Sequence, residues 1–262
     1  MSHQKRNEFK KTLSKKRFGK FSRAYVTSKH HGKSLDLEKL LQLCSPQKTW
    51  NVLDIATGGG HTALKFAPYV SQVIATDITT KMLQSAQEFI EKKGINNIKF
   101  EEADAEALPF EDNQFDLVTC RIAAHHFPNI GKFVRESYRV LKKKGYLLLE
   151  DQVASENKAT AEYINNFEKL RDPSHVKTLS KKEWFQELKA VRFKILEHQY
   201  FQKEIKLEWW TRVQNCNSKT IQTLRDLLKN ASVDIKARME PKNILKSNCT
   251  FKINFILIKA QK

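Results

Sequence analysis

The chain has 262 residues, of which 40% are hydrophobic, and its formal net charge is +18 at pH 7. This length suits one α/β domain with a substantial core, and the four cysteines have no spacing typical of a disulfide framework or a metal site. There is no apolar run of membrane-spanning length and no signal-peptide core after the basic N-terminus, so we expect a cytoplasmic protein. Because the sequence shows no metal-site spacing, we also expect that it binds no metal.

The positive charge is concentrated at the two ends of the chain. Residues 1–23 hold nine Lys or Arg against one Glu, and residues 220–262 hold nine against three acidic residues. Lysine outnumbers arginine by 36 to 11, whereas recognition of phosphates and bases favours the arginine fork. The charge therefore argues only weakly for nucleic acid. A solvated lysine-rich surface is the simpler explanation, and a weak contact of the N-terminal segment with an anionic surface is the alternative.

Residues 1–17 contain two Lys-Lys pairs and few apolar side chains, which predicts a mobile basic arm. We expect the domain proper to span residues 18–262. It begins with a helical cap over residues 18–45, where apolar residues recur at helical spacing. The first helix of this cap carries the face Phe18, Phe21, Tyr25 and Val26, and the second carries the face Leu37, Leu40, Leu41 and Cys44.

The most informative segment runs from Trp50 to Ala63. Apolar-leaning residues lead to Asp54, a loop with three consecutive glycines follows, and helical spacing resumes from Ala63. This order predicts a strand, a tight loop and a helix. The loop then lies at the carboxyl end of the strand, where open α/β sheets bind their ligands, and glycines allow its backbone to approach a ligand closely.

The loop is neither a P-loop nor a dinucleotide motif. It lacks the Gly-Lys-Ser/Thr ending of the first, and the third glycine of the G-x-G-x-x-G pattern is missing. Its pattern is instead Asp-x-Ala-x-Gly-x-Gly, formed by Asp54, Ala56, Gly58 and Gly60. A carboxylate here repels a pyrophosphate but suits a ligand with an ammonium and a sulfonium group, which indicates S-adenosylmethionine.

A second predicted strand, Gln72–Asp77, again ends in an acidic residue, 23 positions after Asp54. We expect the Asp77 carboxylate to accept the two ribose hydroxyls of an adenosine ligand, with Ile78 beside it. Met82, in the helix that follows, either contacts the adenine or packs in the core.

The third strand, Ile98–Glu102, leads into an acidic segment at Asp104. Together with the glycine loop, these motifs resemble those of the class I S-adenosylmethionine-dependent methyltransferases, nearest to the small-molecule enzymes similar to the ubiquinone/menaquinone biosynthesis methyltransferases. The resemblance implies a doubly wound, seven-stranded, Rossmann-like α/β sheet, mostly parallel with an antiparallel last strand. It also implies that Asp104 accepts the adenine amine and that the Ala105 backbone N–H reaches a ring nitrogen. Residues 18–31 either close over the cofactor as a lid, as in that family, or pack outside the sheet.

The fourth predicted strand opens onto the segment from Arg121 to Pro128. In the resembling family the methyl acceptor lies beside this strand end, which makes Arg121 a candidate cofactor contact. Among the histidines of the chain, His125 and His126 are the preferred candidate bases because they lie in this segment. Each alone is a common packing residue, and methyl transfer to carbon does not require a strong base. The segment is unlike the Asn/Asp-Pro-Pro-aromatic tetrapeptide with which base-modifying methyltransferases hold a flipped base.

The second half of the chain has weaker signals. We expect a turn at residues 142–145, a fifth strand over residues 146–151 and a short strand around Phe193. A helical insertion over about residues 202–248 then precedes the last strand, at the place where the resembling enzymes commonly build a substrate cover.

Three classes of function remain open at this point. The favoured one is an S-adenosylmethionine-dependent methyltransferase that methylates a carbon, oxygen or nitrogen atom of a small molecule. An RNA or protein methyltransferase that uses the basic termini is the second, and the missing base-gripping tetrapeptide opposes it. A cofactor-binding protein without catalysis is the third, because the motifs indicate binding and not turnover.

Overall fold

Between Asn51 and Gln152, strands alternate with helices, apart from one direct strand-to-strand connection over residues 103–114. This order produces a doubly wound sheet in the computed structural model, which describes residues 3–26 and 35–262. The strands are β1 (Asn51–Ile55), β2 (Gln72–Asp77), β3 (Ile98–Glu102), β4 (Phe115–Arg121), β5 (Leu141–Gln152), β6 (Lys194–Lys206) and β7 (Thr250–Gln261). The helices are α1 (His3–Val26), α2 (Leu35–Cys44), α3 (His61–Phe66), α4 (Thr80–Glu91), α5 (Ile130–Val140), α6 (Lys158–Arg171), α7 (Lys181–Ala190), α8 (Leu207–Val213), α9 (Ser218–Asn230) and α10 (Val233–Met239).

The seven strands have the spatial order β3-β2-β1-β4-β5-β7-β6. Neighbours from β3 to β5 are parallel, whereas β7 runs antiparallel to both β5 and β6. The predicted sheet is confirmed. Because the strand order reverses at β1 and β4, the connections that leave their carboxyl ends go to opposite faces of the sheet, which opens a crevice between them.

The central strands are apolar on both faces because helices cover both sides of the sheet. In β1, Leu53 and Ile55 face the core that contains Phe133 of α5 and Trp184 of α7. Val52 points to the opposite face, where it packs in a cluster with Leu40 of α2 and Phe66 of α3. This alternation follows from the period of two along a strand.

Two elements in the second half of the chain differ from the expected boundaries. The expected turn at residues 142–145 is a bulge within β5, which begins at Leu141. The edge strand β6 continues to Lys206, so the helical insertion begins at residue 207, later than predicted. Among the described strands, β6 pairs only with β7, so much of its surface is solvated. The polar residues on this surface obscure the alternation of apolar and polar positions.

The insertion forms a third cluster at one end of the sheet. The ring of Trp210 in α8 lies 5.3 Å from that of Phe167 in α6 and 5.0 Å from that of Phe251 in β7. Leu224 and Leu228 of α9 are fully buried in the same cluster. The insertion is therefore anchored to the domain by aromatic packing and is positioned beside the carboxyl ends of the strands.

The N-terminal segment forms one continuous helix, α1, over residues 3–26. The prediction of a mobile basic arm that ends at residue 17 is therefore wrong for residues 3–17. Ser14 and Ser22 are buried, and Ser22 accepts a hydrogen bond from Ser85 of α4 at 2.9 Å. These partners are remote in sequence, so the polar composition of the segment concealed them. No helix within residues 3–26 and 35–262 is long and apolar enough to cross a membrane.

Candidate active site

A cavity lies beneath α1 at the carboxyl ends of β1 to β4. Its volume is about 1030 Å³, including the solvent-open space at its entrance. It is enclosed by α1, the loop after β1 and the segments that follow β2, β3 and β4. The predicted site residues that line it are Ala56, Gly58, Asp77, Ile78, Met82, Asp104, Ala105, Arg121 and His126. The structure thus brings together residues from four strand ends. Three other predicted site residues, Asp54, Gly60 and His125, lie behind this lining.

Asp54 stabilises the glycine loop from below. Its side chain is buried and accepts hydrogen bonds from the hydroxyl groups of Thr57, at 2.6 Å, and Thr119, at 2.7 Å. Burial raises the pKa of Asp54, and these two hydrogen bonds oppose the shift. Direct contact of Asp54 with a ligand therefore stays a prediction, while its support of the loop is visible.

The glycines of the loop have different roles. Gly58 has a φ of 54° and lines the cavity, where a side chain would project towards Met82. Gly60 has a φ of 76°, and a Cβ there would lie 2.7 Å from Cδ1 of Ile90 in α4. A Cβ on Gly59 would lie 3.0 Å from the carbonyl oxygen of Tyr25 in α1. Gly58 therefore opens the site, whereas the other two allow helices to pack closely on the loop.

Asp77 joins the end of β2 to the glycine loop. Its carboxylate accepts the backbone N–H groups of Gly58, at 3.1 Å, and Thr79, at 2.9 Å. Burial raises the pKa of Asp77 to about 6, since water is excluded from this wall. Met82 is 2% exposed and also lines the cavity, so it packs in the core and borders the site at once.

Asp104 is paired with a residue that sequence reasoning missed. Its carboxylate accepts a hydrogen bond from Lys11 of α1 at 2.6 Å and one from the backbone of Glu106 at 2.9 Å. Lys11 also forms an ion pair with Glu106 at 2.7 Å. No local signal identifies Lys11, because its partners lie more than ninety positions away. An adenine amine at Asp104 would share this carboxylate with the lysine.

Arg121, at the end of β4, is held by a buried charge cluster. Its guanidinium donates to Asp36 of α2 at 2.8 Å and to the Thr62 hydroxyl at 3.1 Å. Lys203 of β6 approaches Asp36 at 2.9 Å and Glu150 of β5 at 3.2 Å. Burial raises the pKa of Glu150 to about 8, so this carboxyl can stay neutral beside Asp36. Arg121 therefore reaches the cavity as a cation with its counter-ion in place.

The two predicted histidines have different positions. His125 lies behind the cavity, where its Nδ1 pairs with Asp151 at 2.6 Å. Burial by itself lowers the pKa of His125, but the Asp151 charge raises it above the usual value. His126 lines the cavity, and its Nδ1 contacts the carbonyl oxygen of Ser174 at 3.2 Å. Burial and then the neighbouring His125 lower the pKa of His126. Of the two, His126 is the one placed to meet a ligand.

Helix α1 covers this site. Phe18 lines the cavity with its ring 4.9 Å from that of His126, and Tyr25 lines it nearby. Of the expected cover over residues 18–31, residues 18–26 lie in α1 beside the cavity, and the remainder lies outside the described residues. Closure of this segment over a cofactor stays a prediction. Lys11 and Ser14 also line the cavity, so the part of α1 before Phe18 belongs to the site as well. Within the described ranges, no group of three or more His, Cys, Asp or Glu is arranged to hold a metal ion.

The strand order and the cavity at the carboxyl ends of β1 to β4 define a class I methyltransferase fold. A family model described as a methyltransferase domain matches residues 53–149. YcgJ of Bacillus subtilis, named as an uncharacterized methyltransferase, is 39% identical over 195 residues, which cover 74% of this chain and 77% of YcgJ. The chain therefore belongs to the class I S-adenosylmethionine-dependent methyltransferases.

Solved structures extend this likeness to most of the chain. A methyltransferase structure from Bacillus halodurans C-125 has a TM-score of 0.83 and 40% identity, covering 87% of this chain and 99% of the other. The YcgJ structure from Bacillus subtilis also has a TM-score of 0.83, with 35% identity, 86% coverage of this chain and 97% of its own. The ubiquinone/menaquinone biosynthesis C-methyltransferase UbiE of Allorhizobium ampelinum is 39% identical over 118 residues, 43% of this chain and 46% of UbiE.

Proposed function

We propose that this chain binds S-adenosylmethionine in the cavity beneath α1 and transfers its methyl group to a small-molecule acceptor. The observation that carries the proposal is the position of the Asp77 carboxylate at the end of β2. It is shielded from bulk solvent and lines the cavity beside the glycine loop. Membership of the methyltransferase family supplies the reaction class.

The cavity wall fits this cofactor. Two backbone N–H groups occupy part of the Asp77 carboxylate, and each of its oxygens retains a lone pair for a further donor. Since burial raises the pKa of Asp77 to about 6, donors such as ribose hydroxyls would stabilise its ionised form. Ile78, Asp104 and Ala105 continue the same wall and would hold the adenine. Gly58 leaves room for the backbone to approach the amino-acid end.

When bound, S-adenosylmethionine supplies a methyl group that is already activated on a sulfonium. The protein then has to align the acceptor, exclude water and, for some acceptors, remove a proton. His126 is suited to the last task. Nδ1 of His126 lies near two oxygens of Ser174, the carbonyl at 3.2 Å and the hydroxyl at 3.3 Å. Because the carbonyl can only accept and the hydroxyl gives its proton to Asp172, Nδ1 carries the proton and Nε2 is left as an acceptor. The lowered pKa of His126 keeps the ring neutral near pH 7, as a base must be.

The lining and the cover support a small acceptor. Phe18, Ile122 and Phe127 give the cavity an apolar side, and α1 lies across it. The cofactor and the acceptor would have to share this cavity. A folded RNA or protein would have to present its target atom beneath α1. Relatives named for C-methylation in ubiquinone and menaquinone biosynthesis add support for a small-molecule acceptor.

Calorimetry and methyl incorporation test this proposal in two steps. Titration with S-adenosylmethionine should release heat of binding, whereas NAD should not, since the third glycine of a dinucleotide loop is missing. Incorporation of radioactive methyl groups into a fractionated lysate should then label the small-molecule fraction. Label in RNA or protein would replace the proposed acceptor class. Cofactor binding with no label in any fraction would leave a binding protein without catalysis.

A further inference from the structure

Arg17 of α1 lies against the loop that follows α6. Its Nε is 3.1 Å from Oδ1 of Asp172, an ion pair that lacks the alignment of a hydrogen bond. Its Nη2 donates to the side-chain oxygen of Gln214 at 2.8 Å, and the Gln214 amide donates to Oδ2 of Asp172 at 2.8 Å. Both oxygens of a carboxylate that is only 2% exposed are therefore held from the side of α1 and the insertion.

The same carboxylate reaches His126 through one residue. Ser174 donates its backbone N–H, at 2.9 Å, and its hydroxyl, at 2.6 Å, to Oδ1 of Asp172. The carbonyl oxygen of Ser174 accepts the Nδ1–H of His126 at 3.2 Å. Asp172 thus fixes the segment that orients the His126 ring, and its negative charge favours a proton on that ring.

We propose that Arg17 and Asp172 are a positioning pair that couples the docking of α1 to the proton affinity of His126, so that the ring binds a proton less readily when the cavity is covered. The inference rests on the proposed function in that it takes His126 as the base. With α1 docked, the Arg17 charge offsets the attraction of Asp172 for a proton on His126. When Arg17 is withdrawn, Asp172 acts without that counter-charge, and His126 binds a proton more readily.

Arg17 is the charge that α1 brings to this network. The titratable Tyr25 of α1 joins the network through its hydroxyl, which accepts a hydrogen bond from the Gln214 amide at 3.0 Å. The other charged or titratable groups of the network lie on other elements: His125, with its ring 4.3 Å from that of His126, His175, at 6.3 Å, Asp151, Glu168, Lys169 and Arg171. Lys11, the cation of α1 that lines the cavity, is paired with Asp104 and Glu106 instead. Movement of α1 would therefore take the Arg17 charge away from Asp172, while the Arg171 charge beside Asp172 would stay in place.

Titration of the His126 imidazole by NMR, alongside the pH dependence of kcat/KM, tests the coupling in the full chain. In Arg17→Gln, both the His126 midpoint and the acidic limb of the rate profile should move to higher pH, by roughly half to one unit. Arg17→Lys keeps the charge and should restore the wild-type midpoint. Lys16→Gln removes the same charge from the exposed side of α1 and should leave the midpoint unchanged.

A variant with the opposite charge effect separates coupling from general damage. Asp172→Asn removes the attraction for the proton, so the acidic limb should move to lower pH. A His126 midpoint in Arg17→Gln equal to that in Lys16→Gln would overturn the inference. Shifts of the Arg17→Gln and Asp172→Asn midpoints in the same direction would overturn it as well. If the His126 midpoint shifts in Arg17→Gln but the wild-type chain transfers no methyl group, the coupling between Arg17 and His126 stands and the proposed function fails. If the wild-type chain transfers methyl groups but the His126 midpoint does not shift in Arg17→Gln, the proposed function stands and the coupling fails.

Discussion

The two sides of the cavity are built in different ways. On the sheet side, the contacts of the glycine loop join residues close in sequence: Asp54 to Thr57, three apart, and Gly58 to Asp77, 19 apart. The longer sheet-side contact from Thr119 to Asp54, 65 apart, joins the neighbouring strands β4 and β1. On the cover side, Lys11 binds Asp104 across 93 residues, and Arg17 binds Gln214 across 197. Parallel strands with short βα loops bring their own polar ends to one edge, whereas a cover depends on where a remote helix docks.

This difference has an energetic consequence. The sheet side is backed by fully buried strands, so a change there distorts a wall that cannot relax. The cover side is held by the packing of Phe18 on His126 and by ion pairs whose α1 cations, Lys11 and Arg17, are partly exposed. Ion pairs to which solvent has access are worth about 1 kcal/mol or less each. We therefore expect substitutions on the sheet side to act on affinity through local geometry and those on the cover to act through the docking of α1.

The largest effect should come from the residue where the two sides meet. His126→Ala should lower kcat by roughly 10²–10⁴-fold if the acceptor needs a base, with cofactor affinity little changed. Steady-state kinetics and calorimetry on the same sample would show the split. His198→Ala, on the exposed part of β6, is the matched control. Unaltered kcat in the His126 variant would indicate an acceptor that needs no base.

The sheet side is tested by Asp77→Ala. The loss of a buried, charged hydrogen-bonding partner costs roughly 1.5–3 kcal/mol, so cofactor affinity should fall about ten- to a hundredfold. Calorimetry with S-adenosylmethionine measures the change. Asp112→Ala removes an exposed carboxylate elsewhere and should bind as the wild type does. A folded Asp77 variant with full affinity would contradict the ribose assignment.

The cover side is tested by deletion of residues 1–16. This removes Lys11 and Ser14 from the cavity wall while leaving Arg17 and Phe18. We expect roughly tenfold weaker cofactor binding, equivalent to about 1.4 kcal/mol. A mobile arm would predict no change, so equal affinity of the truncated and full chains would restore that interpretation.

The smallest effect should come from Lys15→Ala. Lys15 pairs with Glu102 at 3.1 Å, but both side chains are nearly half exposed, at 46% and 47%. Solvent screening limits such a pair to about 0–1 kcal/mol of unfolding free energy. Chemical denaturation and calorimetry should find stability and affinity close to those of the wild type. A loss as large as that of the 1–16 deletion would mean that exposed pairs, and not Lys11, hold α1 in place.

The first half of the fold could be predicted because its signals are local. The strands β1 and β2 each combine a short apolar run with an acidic residue at or next to the end, and β3 leads directly into the acidic segment at Asp104. Parallel strands with short connections leave few ways to arrange them. The same logic places Asp77, Asp104 and the glycine loop at one edge. The edge strand β6 escaped this reasoning because its solvated faces carry polar residues that mask the period of two.

The long-range contacts were decided by tertiary structure alone. The basic composition of residues 3–17 predicts disorder, yet α1 forms because Asp104, Glu106 and Asp172 provide partners for Lys11 and Arg17. Tertiary contacts also determine the state of His126. Its orientation depends on Ser174, and burial lowers its pKa so that the ring is neutral. The charge and the spacing of residues can be read from the local sequence. Their solvent exposure and their contacts with remote residues are determined only when the chain folds.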